Sequence, residues 1–184
     1  MNSKIIPRAK IPALMRSLRK QPVRIVFTNG CFDLLHAGHV RYLEDARRQG
    51  DLLVVGLNSD RSVRQIKGPA RPLIAGRQRA EVLAALTCVS YVVLFPEPDP
   101  YRLIDLIRPD VLVKGADWAE DRIVGADLVR SYGGSVYRVD LVPKISTSEI
   151  IRRVVERYGR SAPEKGEKEG QQQADQDGGR QREI

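Results

Sequence analysis

Three observations predict a single doubly wound α/β domain with a five-stranded parallel sheet. Short runs of Val, Ile and Leu alternate with helix-period segments along most of the 184 residues. The runs lack polar alternation, as strands covered on both faces do, and helices between them imply right-handed βαβ crossovers. Both histidines of the chain, His36 and His39, lie directly behind the first run. Ligands of such sheets bind beyond the carboxyl ends of the strands, where the strand order reverses.

Strands are expected at Val23–Thr28, Leu52–Leu57, Val89–Phe95, Asp110–Val113 and Ser135–Val139. Helical patterns fall at about 38–48, 59–66, 76–87, 99–107, 124–132 and 147–158. Ahead of the first strand, Ile11, Leu14, Met15 and Leu18 repeat at i, i+3, i+4 and i+7. Pro12 occupies a tolerated first-turn position, and Arg19 and Lys20 suit the carboxyl end of a helix. The organisation is therefore a basic N-terminal helical segment (1–22), a body (23–159) and a polar tail (160–184). The tail has almost nothing to bury and is expected to be disordered.

Charge sharpens this division. The formal net charge is +8, from 31 basic and 23 acidic residues. Seven basic and no acidic residues lie in 1–24, whereas 25–159 holds 19 basic and 17 acidic. The body is nearly neutral, so the basic balance does not mark a nucleic-acid-binding domain. The lead segment could serve as a transit peptide, or as an arm for nucleic acid or an anionic membrane. Its periodicity agrees with its charge placement and favours a helix packed on the domain. No apolar core of a secretory signal follows it, and Leu52–Leu57 is far short of the ~18 residues of a membrane span. Two cysteines, Cys31 and Cys88, exclude a disulfide framework and a four-thiolate zinc site. A reducing cytoplasm is the expected location.

The first loop carries the chemistry: Thr28-Asn29-Gly30-Cys31-Phe32-Asp33-Leu34-Leu35-His36-Ala37-Gly38-His39. Histidines three apart on a starting helix project from one side. Gly38 leaves the first turn bare for a ligand. A helix start already offers free N–H groups and partial positive charge, and two imidazoles turn it into a phosphate site. Neither the G-x-x-x-x-G-K-[ST] loop nor the G-x-G-x-x-G turn is present. A metal site of Cys31, Asp33, His36 and His39 has loose spacing and no second ligand cluster.

The string GCFDLLHAGHV resembles the H-x-G-H nucleotidyltransferase superfamily, which joins a nucleoside triphosphate to a phosphorylated acceptor and releases pyrophosphate. The longer TNGCFDLLHAGHV, with NSD, IKGPARP, VLVKGAD and ISTSEII in order over about residues 10–158, resembles the D-glycero-β-D-manno-heptose 1-phosphate adenylyltransferase family. The resemblance implies a Rossmann-like fold of nucleotidyltransferase type. It also implies transfer of AMP from ATP to a sugar 1-phosphate, for ADP-heptose and lipopolysaccharide core synthesis.

His36 and His39 would then bind the α- and β-phosphates, and Lys67 is similar to a lysine that touches the transferring phosphates. Thr28, Asn29, Gly30, Cys31, Phe32 and Gly38 line the nucleotide side of the first loop. In the fourth loop, Lys114, Gly115 and Asp117 offer a cation and a ribose acceptor. Trp118 either lies against base or sugar or plugs the loop. Ser146 and Glu149 form a capping box, and the resemblance implies that Ser146, Thr147 and Ser148, at this helix start, bind the nucleotide through its terminal phosphates. Asp33, Arg71, Arg79 and Trp118 fall on the acceptor side, Asp33 as a brace. In the string CVSYV, Ser90 stands where the family often has aspartate.

Mg²⁺ would arrive with ATP, since the chain shows no carboxylate cage. A separate kinase would supply the 1-phosphate, and a homodimer is compatible with the family. Neither nucleic acid nor membrane is an expected partner. Two alternatives stay open: a cytidylyltransferase for glycerol 3-phosphate or another small phosphate, and a non-catalytic nucleotide or nucleic-acid binding module.

Overall fold

The computed structural model describes residues 3–140 and 145–159. The described residues divide into two units after Glu149. The expected disordered tail lies outside the described residues.

The first unit is built on five parallel strands: β1 (Ile25–Gly30), β2 (Leu52–Asn58), β3 (Tyr91–Phe95), β4 (Val111–Gly115) and β5 (Ser135–Val139). Their order is β3-β2-β1-β4-β5, so the sequence runs outward in one direction, returns, and runs outward in the other. The switch point lies between β1 and β4, as a doubly wound sheet requires. Helices α1 (Ile11–Leu18), α2 (Ala37–Arg47), α3 (Asp60–Lys67), α4 (Gly76–Ala85), α5 (Tyr101–Ile107) and α6 (Ala126–Ser131) follow the expected rhythm, with α7 (Thr147–Tyr158) last.

Period-two geometry explains the absence of polar alternation. Val26, Leu53, Val55 and Leu57 enter one core layer with Leu43 and Ala46 of α2 and Ala80, Leu83 and Ala84 of α4. Ile25, Phe27 and Val54 enter the other, with Ile11 and Met15 of α1, Leu103, Ile104 and Ile107 of α5 and Val129 of α6. Successive side chains point to opposite faces, and helices wait on both.

The basic lead segment is part of this structure. Ile11 is fully buried, and Leu14 and Leu18 pack beside it. Arg8 pairs with Glu97, and Arg19 lies 3.7 Å from Asp110. Upstream, Val92 N–H donates to the Lys4 carbonyl and Ile6 N–H to the Val92 carbonyl, so residues 4–6 run along the outer edge of β3.

Four strands differ in their bounds from the sequence reading: β2 extends one residue to Asn58, β4 runs Val111–Gly115 instead of 110–113, and β1 and β3 shift as well. Strand β1 begins two residues later than expected and continues to Gly30, because Asn29 and Gly30 still pair with Gly56 and Leu57. Strand β3 starts at Tyr91, since Ser90 turns its hydroxyl to the Leu53 N–H at 3.1 Å. Ser90 thus sits at the amino end of the sheet, away from the loops that carry the chemistry.

Candidate active site

Strands β1 and β4 are in register only at Val26–Val111 and Phe27–Leu112. Beyond these pairs each follows its other neighbour, β1 to Gly30–Leu57 and β4 to Gly115–Val139. The two strands therefore part at their carboxyl ends. Two side-chain bridges span the opening. Thr28 Oγ1 lies 2.7 Å from Tyr42 Oη, whose hydroxyl donates to the Val113 carbonyl at 3.2 Å. One residue further out, Lys114 Nζ donates to Asn29 Oδ1.

Helix α2 opens at the same edge. His36 is its N-cap, with extended backbone, and Nδ1 accepts the His39 backbone N–H at 3.3 Å. That bond leaves Nδ1 bare, so the neutral ring carries its proton on Nε2 and offers one N–H donor there. The His36 and His39 rings stack, with centroids 3.8 Å apart and planes 18° from parallel. Burial lowers the pKa of His36. For His39, burial and the neighbouring imidazole bring the pKa down to about 4, and the Leu34 carbonyl opposes the fall. His39 Nδ1 is buried without a hydrogen-bond partner. Both rings are thus neutral donors near neutral pH.

Gly38 has a different reason from bare ligand access. A Cβ there would lie 3.0 Å from His36 Nδ1 and 3.1 Å from Cε1, so the space belongs to the folded-back imidazole. Phe32, at φ 43°, is buried and meets the edge of His39 at a centroid distance of 5.3 Å. Its ring also fills the place of a Gly30 side chain, 3.0 Å from an added Cβ. Phe32 thus supports the imidazoles from below rather than facing a nucleotide. Cys31 is half-buried; burial raises its thiol pKa against the pull of Lys67, Arg79 and Arg71, which removes an activated thiolate.

Hydrogen bonds define the surroundings of Thr28, Asp33, Arg71 and Arg79, and those of Asp33 match the brace expected of it. Thr28 is fully buried with its hydroxyl given to Tyr42, so its side chain ties α2 to the sheet instead of reaching a nucleotide. The Asp33 side chain is fully buried and accepts from Arg71 Nε at 2.5 Å and from the Leu73 and Ile74 N–H groups at 2.9 Å. Burial alone would raise its pKa, but these donors hold it below the usual carboxylate value. Asp33 and Arg71 therefore clasp the segment before α4 through Nε, and the Arg71 side chain keeps 17% exposure. Arg79 is also fully buried, donating to the carbonyls of Ile74, Cys31 and Asn58 and to Asp60 Oδ1. It braces three loops and does not face an acceptor.

The remaining groups are accessible. Lys67 ends α3 exposed, close enough for its charge to act on Cys31. Asp117 and Trp118 are exposed in the turn after β4, where the Trp118 N–H returns to the Gly115 carbonyl at 3.1 Å. Ser146 Oγ accepts the Glu149 N–H at 3.1 Å as the cap of α7. Thr147 Oγ1 reaches the Leu34 carbonyl at 3.4 Å, which brings this helix start to the histidine loop, and Ser148 is exposed beside it. Tyr42 was absent from the sequence reading; nothing in its spacing announces a hydroxyl that bridges two strands.

A doubly wound sheet whose switch point presents a helix start with two neutral imidazoles, a lysine and a second helix start is a phosphate-ester-handling α/β domain. The chain belongs to the cytidylyltransferase-like family, whose model matches residues 27–153. It is 55% identical over 157 residues to the bifunctional protein HldE of Syntrophotalea carbinolica, covering 85% of this chain and 32% of that protein. The chain spans about a third of the length of the curated relatives it matches. A lipopolysaccharide core biosynthesis protein from Thermoplasma volcanium is similar in structure, with TM-score 0.54 and 28% identity over 65% of this chain and 97% of that one. The pantoate-beta-alanine ligase of Francisella tularensis shares the fold, with TM-score 0.55 and 16% identity over 83% of this chain and 77% of that one. No helix among the described residues is long and apolar enough to cross a membrane.

Proposed function

We propose that this domain transfers AMP from ATP to D-glycero-β-D-manno-heptose 1-phosphate, giving ADP-heptose and pyrophosphate for lipopolysaccharide core or related heptose-glycan synthesis. The stacked pair His36–His39 at the start of α2 carries the nucleotidyl-transfer reading. Identity of 55% with a bifunctional HldE protein supports the heptose acceptor. A phosphate oxygen of the acceptor attacks the α-phosphorus in line as the bond to pyrophosphate breaks, with no covalent bond to the enzyme.

Neutral imidazoles suit this step. Their N–H groups strengthen their hydrogen bonds as charge shifts onto bridging and leaving oxygens, and no proton has to move first. Lys67, Thr147 and Ser148 hold the triphosphate, and Asp117 accepts from ribose. Mg²⁺ arrives on the nucleotide, where it neutralises phosphate charge. The Asp33 carboxylate is already occupied by Arg71 and two backbone N–H groups. A kinase must form the acceptor phosphate, and the cytoplasm supplies the ATP.

Pyrophosphate release by the purified protein tests the reading, with Mg²⁺, heptose 1-phosphate and either ATP or CTP. Release with ATP and the β-anomer is expected. Release with CTP alone would reassign the domain as a cytidylyltransferase.

A further inference from the structure

Two cations are buried at the carboxyl end of the sheet, and they differ in what satisfies them. Arg79 places four of its five donors on three carbonyls and the Asp60 carboxylate, which also supplies its counter-charge. Lys114 is 9% exposed, yet it makes no ion pair among the described residues and places one hydrogen bond, on the neutral Asn29 amide. An ammonium has three donors, and burying one without a counter-charge is costly unless something supplies that charge. Its position is specific. Lys114 lies where β1 and β4 part, and its Nζ is 5.9 Å from the centre of the Trp118 ring.

We infer that Lys114, aimed by Asn29, receives the reacting phosphate of the acceptor. This rests on the transfer reaction proposed above and deepens it. Two phosphates must meet in the reaction, and they repel. The nucleotide phosphates are met by the start of α2 with His36 and His39, which are neutral and add no full charge. The acceptor monoester brings nearly two negative charges and needs a cation close to the attacked centre. Of the two buried cations among the described residues, Lys114 is the one without an ion pair, and two of its three donors are unused. Burial brings its pKa down to about 8, with Asp117 opposing, so the free site begins to lose its charge just above neutrality. An arriving phosphate restores that charge, and acceptor affinity therefore falls as pH rises through about 8.

Trp118, the single tryptophan, reports the site. Its emission is followed while inorganic phosphate, heptose 1-phosphate and ATP are titrated separately into the full chain, wild type and Lys114→Met, Lys114→Gln and Lys114→Arg. Saturable binding of both phosphate monoanion–dianion probes to the wild type is expected. It should weaken at least ~10-fold in Lys114→Met and Lys114→Gln, with ATP affinity changed less than ~3-fold; a buried charge-assisted hydrogen bond of ~1.5–3 kcal/mol corresponds to such a loss. Lys114→Arg should keep binding and lose the decline above pH 8. Weakened ATP binding with unchanged phosphate binding would overturn the assignment and place Lys114 on the nucleotide. Absence of any phosphate response in the wild type would also overturn it. Phosphate binding without response to heptose 1-phosphate would leave Lys114 as an anion site and refute the heptose acceptor instead. Unaltered far-ultraviolet circular dichroism is required of each variant, and Lys114→Gln carries the test if Lys114→Met does not fold.

Discussion

Gly38→Ala separates the stability of α2 from the chemistry at its start. The new methyl carbon would sit 3.0 Å from His36 Nδ1 and 3.1 Å from Cε1, and 3.6 Å from Ile145 Cγ2. The imidazole must withdraw by a few tenths of an ångström. The 3.3 Å bond from His39 N–H to the ring would break, leaving that N–H its 2.9 Å bond to the His36 carbonyl. Loss of a cap costs ~1 kcal/mol, while alanine in place of glycine in a helix returns up to ~1 kcal/mol. Net stability should hardly move. The Nε2–H donor of His36 is displaced and its tautomer is no longer fixed, and a misplacement approaching 1 Å costs up to ~10²-fold in rate. Calorimetry is expected to show a melting temperature within a few degrees of wild type. Pyrophosphate release should fall ~10–10²-fold. Turnover within twofold of wild type would refute the idea that Gly38 is there to make room for the capping ring.

Three further outcomes follow from the same geometry. His39→Ala should lower turnover ~10²–10³-fold with nucleotide binding largely kept, because a transition-state donor is lost; near-normal turnover would remove His39 from the mechanism. Arg79→Met strands three carbonyls and Asp60, and at ~1–3 kcal/mol per buried unsatisfied group it should destabilise by several kcal/mol in urea unfolding; a stable variant with only a raised acceptor KM would return Arg79 to the substrate. Acid should weaken the fold before it charges the site. The unfolded chain protonates His39 near pH 6.5 and the folded chain only near 4, so stability is intact above 6.5 and declines toward 4, by on the order of 2 kcal/mol after solvent screening. Urea midpoints that stay constant from pH 7 to 4.5 would contradict the buried neutral imidazole.

The sheet and its helices were legible because both strand faces are covered and each crossover keeps its own period. The histidine loop was legible for a related reason: two imidazoles and a glycine directly behind a strand leave few other uses. Arg79 shows where the reading stopped short. Gly76, Arg79, Ala80, Leu83 and Ala84 are buried at i, i+3, i+4, i+7 and i+8 of α4, whereas Arg77 is exposed. That stripe is visible in the sequence and places Arg79 inward, whereas the resemblance implied an acceptor-side role. Asp33 is less accessible to such logic, since its partners Leu73 and Ile74 are backbone groups forty residues away. The difference between Lys114 and any other strand-end lysine arises only from the parting of β1 and β4, which no local pattern encodes.

The N-terminal segment along β3 has a consequence for association. Backbone bonds at Lys4 and Ile6 occupy the free side of Val92, so another chain cannot pair with β3 at that point unless this segment leaves. The opposite border is β5, whose outer side pairs with no strand among the described residues and whose Tyr137 is 43% exposed. Sheet growth by strand addition, whether in assembly or in aggregation, therefore meets an obstacle at the β3 border that the β5 border lacks.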